Sequence, residues 1–127
     1  MELNVVGSEL QICSTDPLTG WFRDGYARSA IDDPGSHTVA AVLSKDFLDH
    51  QREIGNDLST PYPQYGFPGL VPGDKWAVCA PRWHQSFVAG RACGVILSAT
   101  SIGALEHTTI EALRAHSVDV PSDLSSL

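Results

Sequence analysis

The fold is decided by the hexapeptide TVAAVL at residues 38–43. In an extended chain Val39, Ala41 and Leu43 point to one face, because successive side chains alternate. The residues between them are alanine and valine, so the opposite face is apolar as well. A strand that is apolar on both faces is typical of the middle of a covered sheet. The hexapeptide therefore predicts a central strand.

Three helices are predicted around this strand. The first covers residues 45–54 and follows Ser44, whose hydroxyl can accept an N–H of the first turn. Pro81 suits the first turn of the second helix, which ends at Gly90. Thr108 and Glu111 form a capping box for the third helix, which ends near residue 116.

Further short strands are expected at residues 76–80, 93–99 and 104–107, and short strands or extended segments at residues 10–13 and 21–23. Strands, helices and long turns alternate without the regular order of βαβ units. We therefore predict an α+β fold with a small mixed β-sheet, about three short helices and a long ordered loop rich in glycine and proline.

The long loop spans residues 55–73. Its prolines, at positions 61, 63, 68 and 72, exclude a helix or a central strand. Tyr62, Tyr65 and Phe67 favour a loop packed on the body of the domain, because disordered segments are poor in aromatic residues.

The chain has 127 residues, of which 43% are hydrophobic and 18% charged. This length allows one compact domain, since domains usually have roughly 100–200 residues. We predict a single globular domain at residues 1–116 and a flexible C-terminal tail at residues 117–127, which are polar and broken by Pro121.

The charge and composition exclude several classes of partner. Lysine and arginine number 8 against 15 aspartate and glutamate, which gives a net charge of −7. The basic residues are scattered, so neither nucleic acid nor an anionic membrane surface is an expected partner. We expect no transmembrane helix, because no apolar run approaches the ~20 residues that cross a bilayer. The first four residues lack a basic secretory region, and three widely spaced cysteines favour the cytoplasm.

Two thiols, Cys13 and Cys79, are candidate nucleophiles. A reactive cysteine needs a nearby cation or a helix N-terminus that lowers its pKa, and Cys79 lies just before the second predicted helix. The alternative is that both are small buried hydrophobic residues on strands, as free cysteines usually are.

Polar side chains in turns form a second group of candidates: Asp16, Asp24, Asn56 and Asp57. Paired carboxylates can act as general acid and base or hold Mg²⁺. The alternative is that each bonds to the backbone of its own turn. No EF-hand or HExxH pattern occurs, so we assign no metal-binding or cofactor-binding residue, and the cofactor is unknown.

His37 opens the central strand after a Gly-Ser turn, where a rigid sheet can hold an imidazole at a cleft. Arg82 and Trp83 open the second helix beside the long loop, and Arg23 lies in a turn-rich segment. A guanidinium next to an aromatic ring can clamp a carboxylate or phosphate. The alternatives are a structural histidine, a core tryptophan and an arginine that fastens the loop.

Several short blocks occur in one order along the chain: STDPLTG at 14–20, FRDG at 22–25, GSHTV at 35–39, GNDLSTP at 55–61, FPGL at 67–70, PGD at 72–74 and RW at 82–83. Together they resemble an uncharacterised, mostly bacterial family, domain of unknown function 2237, over about residues 4–116. The resemblance implies a small cytoplasmic protein and brings no activity, cofactor or catalytic residue. It also implies cysteine in many members where Ala40 and Ala77 stand, so this chain does not depend on thiols there.

No motif names a reaction, so whether the chain is an enzyme stays open. The first hypothesis is a small-ligand-binding or regulatory protein whose candidate binding residues are Arg23, Asp24, Asn56, Asp57, Arg82 and Trp83. The second is an enzyme of undefined class that uses His37 with Asp57 or Asp16 as acid and base, and Cys13 or Cys79 as a thiol. The third hypothesis is a protein-interaction subunit, and it rests on the aromatic residues of the long loop. The oligomeric state is open as well.

Overall fold

The computed structural model describes residues 1–119 and contains three strands and three α-helices in that part of the chain. The strands are β1 (Val39–Val42), β2 (Lys75–Val78) and β3 (Gly94–Val95). The helices are α1 (Lys45–Glu53), α2 (Ala80–Val88) and α3 (Ile110–Ala115).

The three strands form one sheet in the order β2-β1-β3, with antiparallel pairing throughout. Ala41 of β1 lies opposite Trp76 of β2 and Val95 of β3. Parallel pairing is confined to isolated bridges, such as that between Val95 and Ser117. The predicted α+β class with a small sheet and three short helices is confirmed, and β1 is the central strand because both of its faces are apolar.

The two faces of the sheet are covered differently. Val39 and Ala41 face the main core, where α1 and α2 contribute Phe47 and Trp83, both fully buried. On the other face, Ala40 belongs to a small cluster of short side chains that also contains Cys13, Ala27, Ala77 and Ala99. The helices therefore cover one face, and irregular chain from the N-terminal third packs on the other.

Local signals placed the first two helices correctly. The Ser44 hydroxyl accepts the N–H of Phe47 at the start of α1. Pro81 lies in the first turn of α2, and Gly90 follows it with a φ of 74°. The third helix begins one residue later than predicted, because Thr109 caps it by accepting the N–H of Ala112.

Three of the expected segments are not strands: residues 10–13 belong to no strand, and the other two lie in tight turns. Residues 104–106 lie in a 3₁₀ helix at Ile102–Glu106, and His107 is its C-cap; the helix begins where the Ser101 hydroxyl accepts the N–H of Gly103. Residues 21–23 form a turn, in which the N–H of Arg23 donates to the carbonyl of Gly20. In both places a local hydrogen bond closes a tight turn that an extended chain cannot make.

The strand expected at residues 93–99 is shorter than predicted. Its ladder ends at Val95, and a 3₁₀ helix follows at Leu97–Ala99. The carboxylate of Asp119 accepts the N–H of Leu97 at 2.7 Å and of Ser98 at 3.1 Å. The backbone N–H groups of these two residues therefore donate to the side chain of Asp119 and do not extend the β3 ladder.

The long loop packs on the body of the domain, as predicted. Leu70 is buried and donates its N–H to the carbonyl of Leu58. Phe67 packs edge-on against Trp76, with ring centroids 5.7 Å apart. Of the predicted tail, Val118 and Asp119 hydrogen-bond to residues 95–98, and residues 120–127 lie outside the described residues.

Within residues 1–119, no helix is long and apolar enough to cross a bilayer.

Candidate functional site

A cavity of about 220 Å³ opens at the outer edge of β2. Its lining consists of Gly20, Trp21, Arg23, His37, Phe67, Trp76 and Ala77, and we call it the edge cavity. β2 has a sheet neighbour on one side only, and the Thr19 hydroxyl accepts the N–H of Ala77 on the other. The segment after Thr19 is therefore held against the free edge of β2, and the cavity forms between them.

His37 enters the edge cavity as half of a carboxylate–imidazole pair. Its Nδ1 lies 2.9 Å and 3.0 Å from the two carboxylate oxygens of Asp33. The Asp33 side chain is fully buried, whereas the His37 side chain is 37% exposed. The carboxylate thus lies behind the ring and holds Nδ1, and Nε2 makes no hydrogen bond to any residue between 1 and 119.

The turn before β1 is built to hold this pair. Asp33 accepts the backbone N–H of Gly35 at 3.0 Å and that of His37 at 2.8 Å. A Cβ at position 35 would lie 2.8 Å from the imidazole, so only glycine lets the ring fold back over the turn. Ser36 accepts the N–H of Ala80 on its carbonyl, which fastens the turn to the start of α2.

The charge of Asp33 is well compensated. Burial acts to raise the pKa of the Asp33 carboxyl, but hydrogen bonds from the backbone N–H and the ring of His37 and from Gly35 outweigh it. The pKa therefore lies below its ordinary value, and the buried group is a carboxylate at neutral pH. Such a carboxylate fixes the neutral imidazole in the tautomer with the proton on Nδ1.

Aromatic rings form the walls of the edge cavity. Trp21 stacks on His37, with ring centroids 5.9 Å apart and planes 19° apart. Phe67 and Trp76 meet edge to face on the other side. Stacked and edge-on rings at these separations are favourable arrangements, and they leave flat apolar surface against which a ligand can lie.

Arg23 brings a permanent positive charge to the cavity. Its guanidinium carbon lies 5.2 Å from the centroid of the Trp76 ring, and one of its nitrogens donates to the carbonyl of Gly20 at 2.7 Å. The backbone of Arg23 has a φ of 53°, which is uncommon for a residue other than glycine. Sequence and fold thus keep an arginine in a strained position at the cavity wall.

Taken together, these groups can bind and can exchange a proton. The ring nitrogen Nε2 of His37 can accept a proton or a hydrogen bond when Nδ1 donates to Asp33. The guanidinium has N–H donors left for an anion after its bond to Gly20. Within residues 1–119 no three His, Cys, Asp or Glu side chains are placed to hold one metal ion.

Four of the residues singled out in the sequence lie elsewhere, where α1 and α2 meet the long loop. Arg82 donates to the carbonyl of Ile54, and the Asn56 side chain donates to Gln51. Trp83 is fully buried and donates to the carbonyl of Cys93. The carboxylate of Asp57 accepts the N–H groups of residues 59 and 60 in its own turn. None of the four lines the edge cavity.

The remaining carboxylates do not meet His37 either. Asp24 pairs with Arg28 at 2.8 Å and accepts the N–H of Tyr26. Asp16 lines a neighbouring cavity, which shares Arg23 with the edge cavity. The partner of His37 is thus Asp33, in place of Asp57 or Asp16.

Neither candidate thiol lies in the edge cavity. Cys13 is buried, and burial raises the pKa of its thiol to about 12. Cys79 is half-buried at the start of α2; burial raises the pKa of its thiol, and Arg82 opposes this only in part. A thiol with a raised pKa stays protonated at neutral pH and is a poor nucleophile.

Four residues at the edge cavity were not predicted from the sequence: Asp33, Trp21, Phe67 and Trp76. For Asp33 a signal exists in the spacing DPGSH, since a turn that brings residue i+4 back can place the imidazole on the carboxylate. For the aromatic walls no local signal exists, because they come from three separate segments of the chain.

Comparison with known proteins agrees with the motifs. No curated protein matches the chain. A family model described as "Uncharacterized protein conserved in bacteria (DUF2237)" matches residues 3–117, which covers most of the chain. The chain therefore belongs to the DUF2237 family.

Proposed function

We propose that this chain is a small-molecule-binding protein whose binding site is the edge cavity. The observation that carries the proposal is the convergence of Arg23, the Asp33-held His37 and flat aromatic walls in one concave site. A concave, mostly apolar site with a few oriented polar groups is the usual form of a ligand site. Its volume of about 220 Å³ suits a ligand smaller than a typical drug.

A thermal-shift screen against small metabolites tests the binding function. A ligand that binds the folded state raises the melting temperature by mass action. We expect His37→Ala to remove the shift while the variant stays folded. The matched control is His84→Ala, because His84 also has its Nδ1 hydrogen-bonded, to Thr108 at 2.7 Å, and lies outside the edge cavity. A shift that survives in His37→Ala and disappears in His84→Ala would contradict the proposal.

The Asp33–His37 pair favours a second candidate function, an enzyme that uses His37 as a general acid or base. A carboxylate behind the ring and a free Nε2 are the arrangement that such catalysis requires. Compounds that bind are therefore to be followed by mass spectrometry for conversion. We expect Asp33→Asn to slow conversion by about 10²–10⁴-fold with little change in affinity if His37 transfers a proton. If Asp33→Asn and the unaltered protein convert the compound at equal rates, His37 does not act as an acid or base held by Asp33.

We also propose the cytoplasm as the compartment, and neither nucleic acid nor a membrane as a partner. Cys13, Cys79 and Cys93 are all free thiols, which is usual in a reducing compartment. The net charge of −7 opposes binding to a polyanion. Fractionation of the native host with an antibody to this chain tests the compartment, and recovery from the secreted fraction would overturn it.

A further inference from the structure

Within residues 1–119, Arg23 carries the one permanent charge in the lining of the edge cavity. Arg23 and His37 are the ionisable residues of its lining, and no carboxylate of the described residues lines it. The nearby charge of Asp33 is fully buried and accepts three N–H groups. In a chain with a net charge of −7, this lining is a local exception that favours a negatively charged ligand.

The lining also limits how much negative charge the ligand carries. A phosphate site usually combines several backbone N–H groups with lysine or arginine, often at a helix N-terminus. The edge cavity has a single permanent cation, Arg23, whose planar N–H fork matches the two oxygens of a carboxylate. A carboxylate fits this donor set better than a phosphate does.

The backbone conformation of Arg23 is a second sign that this residue has a function. Its left-handed backbone, with a φ of 53°, is strained for any residue other than glycine. Its bond to Gly20 and its contact with Trp76 hold the guanidinium in one place. A strained residue held by its neighbours at a cavity wall is the kind of outlier that accompanies function.

The rest of the ligand has to match flat apolar walls. Trp21 is 39% exposed and Phe67 is partly exposed, whereas Trp76 reaches the lining from the core and is only 6% exposed. Gly20 and Ala77 add no polar side chain. We propose that the edge cavity binds a small planar organic carboxylate, whose oxygens accept hydrogen bonds from Arg23 while its ring lies against Trp21. This proposal rests on the binding function proposed above and names the class of ligand.

Benzoate, its neutral isostere benzamide and inorganic phosphate are the probes. Titration is followed by nuclear magnetic resonance through the indole N–H signals, since Trp21 and Trp76 line the cavity while Trp83 is buried elsewhere. We expect benzoate to shift the signals of Trp21 and Trp76 and leave that of Trp83 in place. We expect benzoate to bind at least tenfold more tightly than benzamide or phosphate.

Variants of Arg23 assign the binding to the guanidinium. Arg23→Gly suits the left-handed backbone and so keeps the fold, and Arg23→Gln keeps the length of the side chain. We expect both to weaken benzoate at least tenfold and to leave benzamide unchanged. The matched control is Arg28→Gln, because Arg28 also contacts an aromatic ring, that of Tyr26 at 4.2 Å, but lies outside the cavity lining.

Each other outcome overturns the carboxylate assignment. Equal affinity for benzamide and benzoate means that the site recognises the ring and ignores the charge, and equal affinity for phosphate means a general anion site. If none of the probes shifts Trp21 or Trp76 at millimolar concentration, the ligand class is wrong. The binding function fails separately, when no compound of the metabolite screen gives a shift that depends on His37.

Discussion

Two histidines of this chain are each held by a hydrogen bond at Nδ1, in opposite surroundings. His37 bonds through Nδ1 to Asp33 at the open edge of β2. His50 bonds through Nδ1 to the hydroxyl of Ser86 at 2.7 Å, between α1 and α2. Ser86 is fully buried and His50 is 9% exposed, whereas the side chain of His37 is 37% exposed.

The two histidines differ in what their hydrogen bonds connect: those around His50 join two helices, and those around His37 hold an imidazole at a cavity. Around His50 the polar side chains bond to one another, since Gln51 donates to Ser86 and to the carbonyl of Arg82 and accepts from Asn56. This buried network, which we call the closed network, ties α1 to α2. Around His37 the network is closed on the Asp33 side and open towards the cavity. Of the two imidazoles, that of His37 lines the edge cavity.

The largest effect expected is at the closed network. Gln51→Ala removes a fully buried side chain and leaves partners on three residues unsatisfied. We expect it to lower the free energy of unfolding by about 3 kcal/mol, measured by urea denaturation, and to leave the Trp21 indole signal in place. The control is Gln85→Ala, an exposed glutamine on α2, with an expected cost of about 0.5 kcal/mol. If the two variants cost the same, the network around His50 does not stabilise the fold.

A smaller effect with a pH signature is expected at the open network. Asp33 has a lowered pKa, so its carboxylate stabilises the fold above its ordinary pKa, and this contribution is lost as the pH falls. We expect Asp33→Asn to cost about 1.5 kcal/mol at pH 7, and the gap from the unaltered protein to narrow below about pH 4. Urea denaturation of the two proteins at several pH values measures the cost at pH 7 and the narrowing of the gap.

The control for this pH series is Asp24→Asn, since the carboxylate of Asp24 is exposed and pairs with Arg28 on the surface. We expect a cost of at most about 1 kcal/mol, which added salt reduces. A gap for Asp33→Asn that stays constant down to pH 2 would contradict the role given to its charge.

The smallest effect is expected at Asp57, which the sequence singled out and the structure places in a turn of its own. Asp57→Ala removes its bonds to the N–H groups of residues 59 and 60 and is expected to cost at most about 1 kcal/mol. Benzoate affinity should not change, because Asp57 does not line the edge cavity. Asp57→Asn, which keeps one acceptor oxygen, serves as the control. Loss of benzoate binding in Asp57→Ala would show that Asp57 contributes to the site.

The site was predictable in part. His37 and Arg23 were found because each lies in a turn next to a strong strand signal or within a turn-rich segment. The sequence offered Asp57 or Asp16 to act with His37, whereas the structure places Asp33 on its Nδ1, because aspartates in turns cannot be told apart in the sequence. The side chain of Asp33 becomes unlike the others only because its turn folds back under the imidazole and is fastened to Ala80 of α2.

By itself the sequence determined the central strand, the α+β class and the start of α1 and α2. These features depend on side-chain alternation, on a capping serine and on a proline, which act over a few residues. Only the tertiary structure decided that residues 19–23 and the long loop meet at the edge of β2. That meeting depends on contacts such as Thr19 with Ala77 and Phe67 with Trp76, and no local pattern encodes them. The fold class could therefore be predicted from the sequence, and the set of residues that line the edge cavity could not.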